Sequence, residues 1–142
     1  DAYRANLSAL IRRLGALDRE LTKLLEPVRS IPYVAYHDAY GHFARAYGLA
    51  AAGAVTRETE RMPGARHLAR LSRTVERLGI ACFLGAAPEP PPLLRTLVGP
   101  ASARMGTADP LGVNLVAGAD SYFTLMQALG RAFRDCLAGT GG

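Results

Sequence analysis

Apolar residues recur every three or four positions along the first part of the chain. They are Leu7, Leu10, Ile11, Leu14, Leu17, Leu21, Leu24 and Leu25. This spacing places one apolar stripe on a helix over residues 2–26, which Pro27 ends because proline lacks the backbone N–H that a further turn needs. A helix of about seven turns is long for a compact domain. We therefore expect it either to lie along a sheet or to be the end of a rod that joins this domain to another.

Beyond this helix, short apolar runs alternate with helical patterns. The apolar runs predict strands over residues 32–37, 51–56, 80–85 and 103–108. The helical patterns cover residues 39–47, 63–79, 93–98 and 120–137. Strands that alternate with helices in this way are typical of parallel sheets. The sequence therefore predicts an α/β fold, with a four-stranded parallel sheet that carries helices on both faces and follows the long helix.

Short polar residues and glycines mark the ends of the predicted helices. Asp38 is expected to cap the second helix, because its carboxylate can accept hydrogen bonds from the free N–H groups of the first turn. Asp120 or Ser121 is expected to cap the last helix in the same way. Gly48 and Gly79 are expected to end two helices in the left-handed conformation that glycine adopts without strain.

The net charge of +5 raises the question of a nucleic-acid partner. Of the 17 basic residues only Lys23 is a lysine, and the arginines are scattered along the chain among Asp and Glu. A nucleic-acid-binding domain would instead concentrate its positive charge in a patch or stripe. We therefore expect no nucleic acid among the partners. No apolar run approaches the length of about 18 residues that spans a bilayer.

Two candidate metal ligands stand at the ends of predicted strands. His37 ends the first strand, and Asp109 follows the fourth. In an open parallel sheet, ligands bind just beyond the carboxyl ends of the strands. Imidazole nitrogen and carboxylate oxygen are both common zinc ligands, but zinc favours four ligands in all. Each residue alone is more often structural, so the sequence predicts half of a metal site.

The remaining candidates favour structure over chemistry. His42 is expected on the next helix, where it would not converge with His37 on one ion, and His67 is expected at the surface. Tyr36, Tyr40 and Tyr47 are expected to pack in the core. The sequence contains no nucleophile elbow, phosphate-binding loop, zinc-protease motif or dinucleotide motif, so we expect no enzyme. A small flavodoxin-like domain that binds a nucleotide or phosphate is an alternative.

Cys82 and Cys136 lie 54 positions apart and do not form a metal-binding C-x-x-C pair. They are compatible with one disulfide in a protein outside the cytosol. They are equally compatible with two buried free thiols inside it. The residues alone leave this choice open.

Five segments in this order resemble a known family. They are HDAYGHF, MPGARHLARL, ACFLGAAPEP, ARMGTADPLGVNL and YFTLMQALGRAFRDCL. The sequence is similar to the C-terminal lobe of the periplasmic zinc-binding proteins (ZnuA-like, cluster A-I) that supply ABC-type zinc importers. The likeness runs from about Leu17 to Leu137. In that family one long helix joins two α/β lobes, and a single metal ion lies in the cleft between them.

The resemblance implies a domain organisation and a site. Residues 1–27 would be the C-terminal part of the inter-lobe helix, 28–138 the C-terminal metal-binding lobe, and 139–142 a loose tail. His37 and Asp109 would be this lobe's zinc ligands, and an absent N-terminal lobe would supply the others. The chain opens without a methionine in the middle of a helical pattern, as expected for a piece of a longer protein.

The resemblance also implies a partner, a location and a disulfide. The protein would be periplasmic and would deliver zinc to an ABC permease in the membrane, with no catalysis. Cys82 and Cys136 would form the disulfide found in some zinc-binding members. A manganese- or iron-binding relative is the alternative within the family. Manganese carriers have glutamate at the position of His37, and imidazole is the more zinc-suited ligand, so the histidine favours zinc.

Zinc binding is expected to weaken in acid if His37 is a ligand. A proton on the imidazole competes with the metal ion for the same nitrogen, and free histidine takes up that proton near pH 6.5. A zinc titration of the full-length protein should therefore show falling affinity as the pH drops below about 6.5. Affinity that stays constant down to about pH 5 would contradict a histidine ligand.

Overall fold

The computed structural model describes residues 2–56, 63–86 and 103–139. The helices are α1 (Ala2–Leu25), α2 (Gly41–Tyr47), α3 (Ala65–Leu78) and α4 (Ser121–Ala138), and a 3-10 turn, Glu26–Val28, follows α1. The strands are β1 (Tyr33–His37), β2 (Ala51–Thr56), β3 (Cys82–Ala86) and β4 (Arg104–Ala108). The helix predicted over residues 93–98 lies outside the described residues. The ends of these helices and strands differ from the predicted ends by no more than two residues.

The strands form one parallel sheet in the order β2-β1-β3-β4. Ala35 of β1 lies opposite Ala54 of β2 on one side and opposite Leu84 of β3 on the other. β2 lies on one side of β1 and β3 on the other, so the order in which strands are added reverses at β1. Open α/β sheets bind ligands at such a reversal. All four carboxyl ends lie on one side, which we call the carboxyl edge: His37, Thr56, Ala86 and Ala108. The predicted fold class is confirmed.

Helices α1, α2 and α4 cover one face of the sheet. Phe133 of α4 is fully buried at the centre of this core, and three aromatic rings surround it. Tyr33 and Tyr40 meet it edge to face, with centroids 5.1 Å and 5.5 Å away, and Phe43 stacks on it at 5.4 Å. Edge-to-face pairs add to the stabilisation that burial of the rings provides. This aromatic cluster joins β1, α2 and α4 into one unit.

Helix α3 covers the opposite face. Leu71 packs there with Val34, Val55 and Phe83, which are all fully buried. Alternate residues of β1 thus point to opposite faces, since Val34 enters this core while Tyr33 and its aromatic partners lie on the other face. The sheet therefore carries helices on both faces, as predicted.

Helix α1 is buried along only half of its length. Its second half packs through Leu17, Leu21 and Leu25, which are at most 5% exposed. In its first half, four residues of the apolar stripe are 38–60% exposed: Leu7, Leu10, Ile11 and Leu14. Within the described ranges, no helix has the length and apolar character needed to cross a membrane.

The start of α2 differs from the prediction. Tyr40 stands at its N-cap, without a side-chain capping bond, and the helix begins at Gly41. Asp38, predicted as the cap, lies too early because the Ala39 N–H donates to the His37 carbonyl at 2.8 Å and turns the chain tightly after β1. The expectation for Asp38 was therefore wrong.

The start of α4 also lacks the predicted capping bond. Asp120 stands at the N-cap, but its carboxylate pairs with Arg13 of α1 instead. The Ser121 hydroxyl accepts a hydrogen bond from the Gly118 N–H at 2.7 Å and stabilises the preceding turn. An arginine on the neighbouring helix competes for the carboxylate here, which a local sequence pattern does not reveal.

The predicted C-caps are confirmed. Gly48 and Gly79 end α2 and α3 with φ of 67° and 59°, respectively. Residues other than glycine rarely adopt this left-handed backbone conformation, so glycine suits both positions.

Helix α4 is held to the sheet by covalent and polar contacts. A disulfide joins Cys82 of β3 to Cys136 of α4, as the family resemblance implied. Arg104 of β4 donates to the carbonyl oxygens of Cys136 and Leu137 at 2.8 Å and 3.2 Å. These carbonyls belong to the last turn of the helix, where the helix itself offers no N–H partner.

Removing the disulfide is expected to destabilise the chain. Replacing Cys82 and Cys136 by alanine should lower the free energy of unfolding by roughly 2–4 kcal/mol, because the unfolded chain regains the freedom of a long loop. Urea unfolding followed by circular dichroism measures this change. An unfolding midpoint equal to that of the oxidised chain would contradict the expectation.

Adding a methyl group at Gly106 is expected to destabilise the chain as well. A Cβ there would lie 2.8 Å from Cβ of Cys136 and 2.9 Å from Cδ2 of Leu84. Since the disulfide holds Cys136 in place, Gly106→Ala should lower the free energy of unfolding by about 1–3 kcal/mol.

Gly15→Ala is the matched control for this variant. The new Cβ would meet only a guanidinium nitrogen of Arg19, at 3.5 Å, and alanine suits a helix better than glycine does. We expect this variant to raise the free energy of unfolding by roughly 0.5–1 kcal/mol. Equal effects of the two substitutions would show that crowding at Gly106 is absent.

Candidate metal centre

His37 is the last residue of β1 and lies at the carboxyl edge. It stands opposite Thr56 of β2, and its side chain is half-buried. Its Nδ1 atom is buried and has no hydrogen-bond partner among the described residues. Leaving a buried polar atom unpaired costs about 1–3 kcal/mol. An unpaired nitrogen at this position is a natural place for a ligand.

Asp109 directly follows β4 at the same edge. Its Oδ1 accepts hydrogen bonds from the N–H groups of Leu111 and Gly112 at 3.0 Å and 2.9 Å, and its Oδ2 accepts one from Val113 at 2.7 Å. A carboxylate has about four acceptor positions, two on each oxygen. The loop occupies three of them, so the position left for a cation is on Oδ2. The loop also fixes the orientation of this carboxylate.

The two residues come from strands that are not neighbours. Strand β3 lies between β1 and β4, so the strands that carry His37 and Asp109 are about 10 Å apart. The structure brings both residues to the carboxyl edge, with the end of β3 between them. In the part of the chain that the structure describes, no three His, Cys, Asp or Glu side chains gather closely enough to hold a metal ion.

Tyr40 connects the segment after β1 with the end of β4. Its hydroxyl group is buried and donates to the carbonyl oxygen of Ala108, the last residue of β4, at 2.8 Å. Burial, and the nearby negative charge of Asp109, raise the pKa of Tyr40 to about 12. The hydroxyl therefore stays protonated and remains a donor at any physiological pH.

The sequence pattern predicts Tyr40 in the core but does not predict this hydrogen bond. The residue is indeed in the core, at 4% exposure, while its hydroxyl group donates to the end of β4 at the carboxyl edge. One available signal was the polar end of a buried tyrosine, which usually finds a hydrogen-bond partner. The partner lies 68 positions away and could not be identified without the fold.

The other two histidines have partners of their own. Nε2 of His67 donates to the Ala54 carbonyl at 2.9 Å, and this side chain is half-buried rather than at the surface as expected. His42 is exposed on α2, and its Nδ1 accepts from the Arg45 guanidinium at 3.1 Å. Neither contact involves His37 or Asp109.

Two cavities are lined by residues at or next to the candidate ligands. One of about 260 Å³ lies beside β1 and β2 and is lined by Asp38, Tyr40 and His67 among others. A second, of about 190 Å³, lies beside Asp109 and Asn114. Among the described residues, each lining carries a carboxylate and neither contains a lysine or an arginine. Since phosphate is bound by cationic side chains and free backbone N–H groups, these cavities do not favour it.

Comparison with known proteins identifies the family of the chain. The family described as zinc-uptake complex component A, periplasmic, matches residues 1–136. The high-affinity zinc uptake system protein ZnuA of Brucella suis biovar 1 (strain 1330) is 36% identical over 136 residues, which cover 96% of this chain and 41% of that protein. The protein of the same name from Paracoccus denitrificans (strain Pd 1222) is 34% identical over 136 residues, covering 95% and 42%.

A solved structure shows the same fold. The crystal structure of a ZnuA deletion mutant with zinc bound is similar with a TM-score of 0.73 and 23% identity, and the match covers 95% of this chain and 48% of that one. The chain thus spans about two fifths of the length of the curated relatives it matches. Because the match to the family extends over residues 1–136, the chain belongs to the ZnuA family of periplasmic zinc-uptake components.

Proposed function

We propose that this chain is the C-terminal lobe of an extracytoplasmic solute-binding protein that captures zinc and delivers it to an ABC importer. The observation that carries the proposal is the placement of His37 and Asp109 at one edge of the sheet. Relatives named for high-affinity zinc uptake support zinc as the cargo. The role is capture and release, in which no covalent bond is made or broken.

Each of the two ligands would contribute one donor atom. His37 would contribute a neutral imidazole nitrogen, and its Nδ1 has no hydrogen-bond partner among the described residues. Asp109 would contribute Oδ2, which retains an acceptor position and is held in orientation by the loop. Zinc favours four ligands, so two more would come from the N-terminal lobe of the full-length protein. Enclosure between two lobes would exclude water from the ion.

Helix α1 supports the two-lobed arrangement. Its exposed apolar residues in the first half, from Leu7 to Leu14, would be covered by the N-terminal lobe. Residues 1–27 would then be the end of the inter-lobe helix and residues 28–138 the C-terminal lobe, while residues 140–142 of the predicted tail lie outside the described residues. The length of the relatives, of which this chain spans about two fifths, is consistent with this division.

The disulfide supports a location outside the cytosol. Bonds such as Cys82–Cys136 persist in oxidising compartments and are rare where thiols are kept reduced. The periplasm meets this condition, and an ABC permease in the adjoining membrane would receive the ion. A manganese- or iron-binding protein remains the alternative cargo class, and the imidazole of His37 argues against manganese.

Substitution of the two ligands is expected to abolish tight zinc binding. In the full-length protein, His37→Ala and Asp109→Ala should each weaken zinc affinity by more than roughly 100-fold, because even outer-shell changes cost 10–100-fold. Titration with zinc in competition with a chelator measures the affinity, and a parallel manganese titration tests the cargo.

His42→Ala is the matched control, since this exposed histidine belongs to the same loop-helix segment and contacts Arg45 instead. It should bind zinc like the unmodified protein. Unchanged zinc affinity in both ligand variants would refute the site. Manganese binding tighter than zinc binding would refute the cargo.

A further inference from the structure

The two candidate ligands are not connected by a direct strand pairing. β1 pairs with β2 and β3, whereas β4 pairs with β3 alone. Between β1 and β3 the register runs from Tyr33–Cys82 to Ala35–Leu84, so it stops two residues before His37. Within the described residues, no backbone pairing therefore joins the end of β1 directly to the end of β4.

Tyr40 spans this gap. It follows His37 by three residues, and its hydroxyl donates to Ala108, the residue directly before Asp109. The donor and acceptor residues are 4% and 2% exposed, so water does not compete for the bond. Tyr40 thus lies three residues from His37, and Ala108 lies one residue from Asp109.

The tyrosine side chain is itself rigidly placed. Its ring meets Phe133 edge to face at 5.5 Å, and Phe133 is fully buried between Tyr40, Tyr33 and Phe43. A ring packed in this way has little freedom to change rotamer. The hydroxyl oxygen is therefore held at a defined point beside the Ala108 carbonyl.

The acceptor side is rigid too. The Asp109 carboxylate accepts three N–H groups of its own loop, so Asp109 and residues 111–113 form one hydrogen-bonded turn. That turn starts from Ala108. A bond that fixes the Ala108 carbonyl consequently fixes the whole turn and the carboxylate within it.

We propose that Tyr40 is a positioning residue of the metal site, which holds the Asp109 turn at the distance from His37 that one zinc ion requires. This inference rests on the proposed function. Tyr40 does not touch the ion and acts through Asp109. Without its hydroxyl, the turn would keep its internal bonds but would be free to shift relative to β1. The ion would then be released faster, since ligand geometry in the free protein would match zinc less well.

The test compares Tyr40→Phe with Tyr33→Phe in the full-length protein. Both variants keep the ring against Phe133, but only the first removes the bond to Ala108. Tyr40→Phe is expected to lower zinc affinity about 10-fold through a faster off-rate, the lower end of the range for residues that orient ligands. Tyr33→Phe is expected to leave zinc affinity within about 2-fold. Circular dichroism of both metal-free variants verifies that each is folded.

A double-mutant cycle separates positioning from general stability. If Tyr40 acts through Asp109, adding Tyr40→Phe to Asp109→Ala should change the residual zinc affinity by less than about 2-fold. A 10-fold loss that persists in this background, or an equal loss in Tyr33→Phe, would overturn the positioning role. Normal zinc affinity in Tyr40→Phe would overturn it as well, while weak binding by His37→Ala would leave the proposed function intact. Unchanged binding by both ligand variants would instead refute the proposed function itself.

Discussion

The candidate site depends on the position of β1 inside a parallel sheet. With β2 on one side and β3 on the other, β1 is buried on both faces and its carboxyl end opens at the reversal of strand order. Parallel pairing forces the other strands to end at the same edge. His37 and Asp109 thus lie at the same edge of the sheet although 72 positions separate them in the sequence. No local signal in either segment could produce this placement alone.

The loop that carries Asp109 is anchored at both of its ends. Before it, β4 is paired with β3 and held through Ala108 by Tyr40. After it, the N-cap residue of α4, Asp120, pairs with Arg13 of α1, and the helix is joined to β3 by the disulfide. Contacts therefore join the loop to the sheet at one end and to the last helix at the other.

The periodicity of the chain was sufficient to predict the strands and helices, because apolar residues recur with clear periods and glycines end α2 and α3. His37 and Asp109 could be selected because each stands at the carboxyl end of a strand. The capping role of Asp38 was predicted wrongly, since a tight turn after β1 delays the helix. The hydrogen bonds of Tyr40 and His67 could not be predicted from the sequence, because both depend on contacts between distant segments. Local patterns determine elements, whereas the fold determines which polar atoms meet.

The measurement that tests the account most directly is a crystal structure of the full-length protein loaded with zinc, with the ion located by its anomalous scattering. The account predicts a single strong peak bonded to an imidazole nitrogen of His37 and to Oδ2 of Asp109, at about 2.0–2.2 Å from each. The other lobe would complete the coordination. A zinc peak bound elsewhere, for example at His42 or His67, with His37 and Asp109 both outside its coordination shell, would contradict the central claim.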